Sequence, residues 1–414
     1  MTRALPIDPA EVACHVERLA RFGAHGATGV WRTVYSPEWT AAQQQLAEWF
    51  QAAGLSVRQD AVGNLWGRLE GSASGGVIAT GSHVDSQRPG GQYDGALGII
   101  AGLLAVKHLR QTYGPPRQPL EVVSLCEEES SRFPTAAYWG SRAITGQVRP
   151  ADLTEVRDFD GVPIADVMRG VGLDPDRVAE AVRHDLDAFI ELHIEQGPFL
   201  EDAGLPVAIV SGITGMRHYL VTLTGRADHA GAVPMDRRLD PMAGAAEIIS
   251  GVIGNAFRLG RPAVTTVGQI RAEPGGRAIV PDRVIFTVDA RHPVPERRAE
   301  LYRQHESLIR EVAARRGLGL TLEIMLDIDP APSDPAIMAL HEAAARELEI
   351  PYLVLPSGAG HDSQRMATIC RTGMLFVQSR GGRSHTPEEY TAPEHGAAGI
   401  AVLAATLHRL AYDE

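Results

Sequence analysis

In the first half of the chain, short apolar or alternating runs take turns with longer segments of helical spacing. Between Pro37 and Ala53 the apolar residues Leu46, Trp49, Phe50 and Ala53 recur at that spacing, with Ser36-Pro37 opening the segment and Gly54 stopping it. Gly76 to Thr80, Leu120 to Cys126 and Ala188 to His193 are short runs that read as strands. The most continuous apolar stretch, Ala96 to Val106, is rich in Gly and Ala and predicts a buried helix. It is far shorter than the ~20 residues of a membrane span. Alternation of this kind predicts an α/β domain built on a doubly wound sheet, whose ligands gather at the carboxyl ends of strands.

From about Gly212 the texture changes. Tyr219 to Thr224 alternates, a Gly- and His-containing loop follows, and Pro241 to Leu259 is a long helical run. Strand signals return at Ala263 to Ile270, Val284 to Ala290 and Leu320 to Met325, around a second helix from Pro295 to Arg316. A β-α-β-β-α-β order is that of a ferredoxin-like module. The expectation is a smaller α+β domain, residues 211–328, inserted into a larger domain made of 1–210 and 329–414. No repeat or low-complexity tract interrupts this plan.

Composition narrows the function classes. The 414 residues are 44% hydrophobic and 22% charged, as in ordinary globular chains. A net charge of −12 argues against nucleic-acid binding, which needs a basic face. Three widely spaced cysteines, Cys14, Cys126 and Cys370, give neither a disulfide framework nor a CxxC site, so a reducing cytoplasm is expected. The start of the chain, Met1 to Pro9, has no apolar core long enough for a signal peptide.

Candidate chemistry lies in five scattered residues. They are His83 in Gly81-Ser82-His83, Asp94 in Tyr93-Asp94-Gly95, Glu129 in Glu127-Glu128-Glu129, His193 in His193-Ile194-Glu195-Gln196-Gly197, and His385 in Ser384-His385-Thr386-Pro387. Mixed imidazole and carboxylate ligation suits zinc, manganese, cobalt or nickel rather than calcium. Singly the motifs are weak, since a His after Gly-Ser is usually a loop residue and a run of Glu usually a solvated patch. Here the acidic run follows an apolar strand without a turn and precedes Ser130-Ser131-Arg132-Phe133. Asp94 is the natural bridge between two metals ~3.5–4 Å apart, because a carboxylate has two oxygens. Glu128, beside a ligand, is the candidate general base, with orientation of a ligand as its other reading. Asp85 reads either as a partner of the His83 imidazole or as a loop-capping residue.

Taken together, these motifs resemble the metal-dependent amidohydrolases that include N-carbamoyl-L-amino-acid hydrolases, allantoate amidohydrolases and β-ureidopropionases, a branch of the dinuclear-metal peptidase superfamily. The resemblance also rests on Ala227-Asp228-His229-Ala230-Gly231, Val288-Asp289-Ala290-Arg291 and Ser357-Gly358-Ala359-Gly360-His361-Asp362. It implies that one metal takes His83 and His193 and the other Glu129 and His385. It further implies that His229 crosses a homodimer interface, built through the inserted domain, to donate to the oxyanion of the neighbouring site. Arg291 would clamp a substrate carboxylate, and Gln196, Gly358 and Gly360 would hydrogen-bond the two substrate ends, with Arg217 and His218 as further contacts. Two departures stand out: Ala278 replaces a family Asn that helps hold the substrate carboxylate, and Ser130 replaces a Gly. The implied activity is hydrolysis of a linear C–N bond in an N-carbamoyl amino acid or related ureido acid. An aminoacylase or dipeptidase, or a ligand-binding homologue without turnover, are the alternatives.

Overall fold

A computed structural model describes residues 7–73 and 75–413 of the chain; the first six residues of the segment read above for a signal peptide lie outside that range. The chain divides into two compact units. The first comprises Met1–Ser211, Ser333–Leu355 and His361–Glu414, and the second Gly212–Pro332 with Pro356–Gly360.

Among the described residues of the first unit a mixed sheet forms around four adjacent parallel strands. Val77–His83 lies between Leu120–Leu125 and Leu186–Ile194, and Arg371–Val377 runs parallel to the last of these. Antiparallel strands flank this core, Leu65–Leu69 and Ser56–Gln59 on one side and Val207–Ile213 on the other. All seven residues of Val77–His83 and all six of Leu120–Leu125 are buried, as expected for strands covered on both faces. The helix Pro37–Ala52 starts where predicted, with the Ser36 hydroxyl accepting the Trp39 N–H at 3.1 Å.

The glycine- and alanine-rich helix runs Ala96–Tyr113 and is buried at every position from Ala96 to Val106. Its small residues let it lie against the strands. A Cβ on Gly98 would fall 2.3 Å from the Leu192 carbonyl oxygen, and one on Gly102 3.0 Å from a Thr80 methyl. No helix among the described residues is long and apolar enough to cross a membrane.

The second unit has the strand Gly215–Thr224, the helix Pro241–Leu259, the strand Arg283–His292, the helix Pro295–Arg315 and the strand Gly319–Ile328. Where the sequence predicts one strand from Ala263 to Ile270, there are two, Val264–Thr266 and Ile270–Glu273, both antiparallel to Arg283–His292. Gly268 sits in the break, and the two pieces pair with different ends of the same long strand. Tyr219, Val221, Leu223, Val284, Phe286 and Val288 alternate inward from neighbouring strands to meet Ile248, Val252, Leu301 and Ile309 of the helices.

Among the described residues, each unit has a buried histidine that burial alone keeps uncharged. His341 hydrogen-bonds the Thr406 hydroxyl at 2.9 Å and burial pushes it down to about 3; His305 lies between Asn255 and Thr265 and burial pushes it down to about 4. An unfolded histidine takes up its proton near pH ~6.5. Both groups therefore contribute stability that is present above that pH and lost as pH falls toward their folded values, with a slope of about 1.4 kcal/mol per pH unit for each. Urea unfolding between pH 7 and 4.5 should show this loss, and His341→Gln should be less stable at pH 7 yet have a shallower slope. An unchanged slope would remove His341 from the acid response.

Candidate metal centre

Three strand ends and two loops deliver the predicted ligands. His83 closes Val77–His83, Glu127 to Glu129 follow Leu120–Leu125 after Cys126, and His193 is the penultimate residue of Leu186–Ile194. Asp94 stands two residues before the helix Ala96–Tyr113, and His385 lies between Arg371–Val377 and Pro393–Ala411. The structure brings all five together. Asp94 Oδ1 is 3.4 Å from His83 Nε2 and 3.2 Å from His193 Nε2, while Asp94 Oδ2 is 3.6 Å from His385 Nε2. His385 Nε2 is in turn 3.4 Å from Glu129 Oε2. Two sets of donors result, His83-Asp94-His193 and Asp94-Glu129-His385, each with ligand atoms within 4.8 Å of one another. They share only Asp94, which turns a different oxygen to each.

The imidazoles are fixed in the tautomer that ligation needs. His83 Nδ1 donates to the Asp85 carbonyl at 3.0 Å and His193 Nδ1 to the Ile194 carbonyl at 2.9 Å. A carbonyl only accepts, so the neutral rings hold their protons on Nδ1 and turn the Nε2 lone pairs toward Asp94. The donor set of nitrogen and carboxylate oxygen fits a borderline divalent cation.

The three glutamates divide by role. Glu127 is fully buried and accepts the N–H groups of Arg132 and Phe133 at 3.0 and 2.6 Å, folding the loop back on itself. Glu129 reaches the ligand set, and Glu128 Oε2 stays outside it, 3.8 Å from His83 Nε2. Asp85 braces this turn: its two carboxylate oxygens accept the Glu128 and Glu129 N–H groups at 3.4 and 3.2 Å, and its carboxylate stands 3.9 Å from the His83 ring. Ser130 has φ +52°, a left-handed backbone held here without glycine. Burial and the nearby Asp94 push the Glu129 carboxyl up, and burial outweighs His83 to do the same to Glu128. Asp94 goes the other way, because His193 and His83 overcome its burial. A divalent cation held there would let these carboxylates ionise side by side.

Three further residues that local sequence signals do not reveal touch the ligands. Gln87 Nε2 donates to Glu129 Oε2 at 2.8 Å, and Gln196 Nε2 to Asp94 Oδ2 at 2.7 Å, so Gln196, expected at a substrate end, lies on the carboxylate that the two donor sets share. Ser384 and Glu389 also reach Asp94. An acidic pair such as Glu388-Glu389 reads locally as surface, because its partners lie almost 300 positions away.

Comparison with known proteins places the chain in a family. Residues 79–409 match the peptidase family M20/M25/M40. The chain is 41% identical over 399 residues to an allantoate amidohydrolase of Bacillus subtilis, covering 96% of this chain and 97% of that one. It is 40% identical to an N-carbamoyl-L-amino acid amidohydrolase of Geobacillus stearothermophilus, with the same coverage. A solved hydantoinase/carbamoylase-family amidase from Burkholderia multivorans superposes with a TM-score of 0.91 at 32% identity, over 100% of both chains. The chain belongs to the M20/M25/M40 family. Hydrolases of that family use divalent metals, and the two donor sets sharing Asp94 are where this member can hold them.

The remaining expected residues of this M20 chain lie in its second unit. Arg291 forks onto Asp289, with Nη2 to Oδ2 at 2.8 Å and Nε to Oδ1 at 3.0 Å, and its Nη1 donates to the Gly358 carbonyl at 2.9 Å. His218 Nε2 approaches the same Asp289 to 3.4 Å. Burial would raise the Asp289 carboxyl, but His218 and Arg291 hold it at about 2. Gly360 lies in the same short segment as Gly358. Arg217 is engaged by Glu306 at 3.1 Å and Asp327 at 2.6 Å. His229 is exposed, and its Nδ1 accepts the N–H groups of Gly231 and Ala232, both at 3.1 Å. That places the proton of the neutral ring on Nε2 and makes it a donor.

If the ligand assignment is right, His83→Ala and His193→Ala will each lower the divalent metal that survives gel filtration and abolish turnover, since a site missing one of few ligands binds weakly. Elemental analysis of the folded variants checks this. Full metal content in both would refute the assignment.

Proposed function

We propose that the protein hydrolyses a linear C–N bond in an N-carbamoyl-L-amino acid or a related ureido acid, such as allantoate or N-carbamoyl-β-alanine, releasing amine, carbon dioxide and ammonia. Hydrolysis of a ureido bond follows from the family and from the named amidohydrolases in it. The observation that carries the reading is the shared Asp94 with Glu128 left over beside it. Two ions drawn from zinc, manganese, cobalt or nickel would be held, one by His83 and His193 and one by Glu129 and His385, with Asp94 between. Bound there, they supply Lewis-acid polarisation of the ureido carbonyl and a more acidic water.

The chain's own groups do the rest. Glu128, free of the ligand sets, takes the proton from the attacking water and returns it to the leaving nitrogen. Arg291 and His218, preset on Asp289, meet the carboxylate of the substrate with the Gly358 to Gly360 segment. The second unit is the inserted dimerisation domain in this reading, and His229 offers its Nε2–H to the oxyanion of a second copy. Its support is an exposed ring with the donor tautomer already set. Equilibrium sedimentation of the active species as a monomer would overturn that part.

A panel of N-carbamoyl, N-acetyl, N-formyl and dipeptide substrates, each with manganese, zinc, nickel or cobalt, tests the activity. Turnover of the ureido substrates is expected. Turnover of acyl or dipeptide substrates alone would make the protein an aminoacylase or dipeptidase, and none at all would make it a binding homologue. In the same assay Glu128→Gln should retain metal yet lose at least ~100-fold in kcat, the usual worth of general acid–base catalysis. Near-normal turnover would remove Glu128 from the mechanism.

A further inference from the structure

The segment that carries His385 also reaches back to Asp94. Glu389 is only 3% exposed, and its Oε1 accepts the backbone N–H groups of both Tyr93 and Asp94, each at 2.9 Å. Its Oε2 lies 3.0 Å from the Ser384 hydroxyl, which itself lies 2.6 Å from Asp94 Oδ2. Glu389 thus grips the main chain of the bridging ligand, while Ser384 stands between the two carboxylates. The loop before Asp94 is shaped for this contact. A Cβ on Gly91 would lie 2.3 Å from Glu389 Oε1 and 2.4 Å from its carboxyl carbon, so only glycine admits the carboxylate so close to the backbone. Beside it, Tyr93 and Tyr390 meet edge to face at 5.8 Å, and the Arg380 guanidinium lies over Tyr390 at 4.3 Å.

Two ligands from distant parts of the chain have to arrive at one spacing. Asp94 and His385 sit on separate loops, and His385 holds a left-handed backbone at φ +56°. A buried carboxylate accepting two adjacent N–H groups fixes a peptide plane more firmly than a neutral acceptor, because such bonds are charge-assisted. We propose that Glu389 is a positioning residue of the metal centre, clamping the Tyr93-Asp94 loop to the Ser384-His385 loop so that Asp94 Oδ2 and His385 Nε2 face one ion before it binds. The inference rests on the two-metal reading above.

The test uses the full chain, stripped with a chelator and titrated with manganese alone against a competing metal indicator, with thermal unfolding followed in parallel. Wild type is expected to bind two ions. E389A, still folded, should bind manganese ~10–100-fold more weakly, the usual cost of removing a group that orients a ligand. E389Q keeps an oxygen that can accept both N–H groups and should lie closer to wild type than E389A does. S384A removes one hydroxyl and decides the matter if E389A does not fold, with weaker manganese binding expected. Wild-type affinity in folded E389A, or in S384A where E389A is lost, would overturn the role of Glu389 while leaving the two-metal reading intact. A wild-type protein that binds no manganese would overturn both.

Discussion

The approach of the Ala96–Tyr113 helix to the strand ends is the constraint from which the centre follows. Asp94 meets His83 and His193 through one oxygen only because the backbone just beyond it lies hard against them. A Cβ on Gly95 would sit 2.4 Å from the His83 ring, and one on Gly98 2.3 Å from the Leu192 carbonyl. Gly95 also takes φ +63°, which turns the chain from the Asp94 loop into the helix. The same geometry aims the first turn of a long buried helix at the site, where its dipole favours a carboxylate. A larger residue at either position would move Asp94 away from both imidazoles at once.

Such an approach gathers acid in the interior, and the surrounding residues neutralise each group differently. Glu191 is satisfied by the hydroxyls of Ser82 and Ser363, each at 2.7 Å, and Glu127 by backbone N–H groups. Arg32 is buried as well; burial lowers it to about 10, against the pull of Asp85, and it donates to the carbonyls of Val84, Leu19 and Phe22 rather than to a carboxylate. Asp94, Glu128 and Glu129 have no Lys or Arg against them in any hydrogen bond or ion pair described. What faces them is imidazole, which is a ligand before it is a counter-ion. A divalent cation held by the two donor sets would balance these carboxylates.

How far this could be read from the chain follows from what each residue depends on. Strand ends are set by local runs, so His83, Glu129 and His193 could be placed from the apolar segments before them. The helix Pro241–Leu259 is bounded by Pro and Gly and matches its expected range. The strand expected over Ala263 to Ile270 is two strands instead, because Gly268 interrupts a pairing that only the partner strand reveals. Asp85 has a motif neighbour in His83, but its carboxylate serves the Glu128-Glu129 turn, a contact 43 and 44 positions away. Gln87, Ser384 and Glu389 carry no periodic or spacing signal at all. Polar residues that act through long-range hydrogen bonds look in sequence like any loop.

The departure at residue 278 illustrates how chemistry and specificity separate on such a scaffold. His229 and Asp228 pair with Ile279 and Val280 in a two-stranded ladder, and the Ala278 carbonyl accepts the Ala230 N–H at 2.9 Å. All of these contacts are made by the backbone, so the His229 loop is held whatever side chain stands at 278. The ring proton is fixed by Gly231 and Ala232, which are equally indifferent to it. A change of side chain at 278 therefore leaves the backbone ladder and the His229 tautomer as they are. The backbone alone holds this ladder, which leaves the side chain at 278 free to vary without moving the His229 loop.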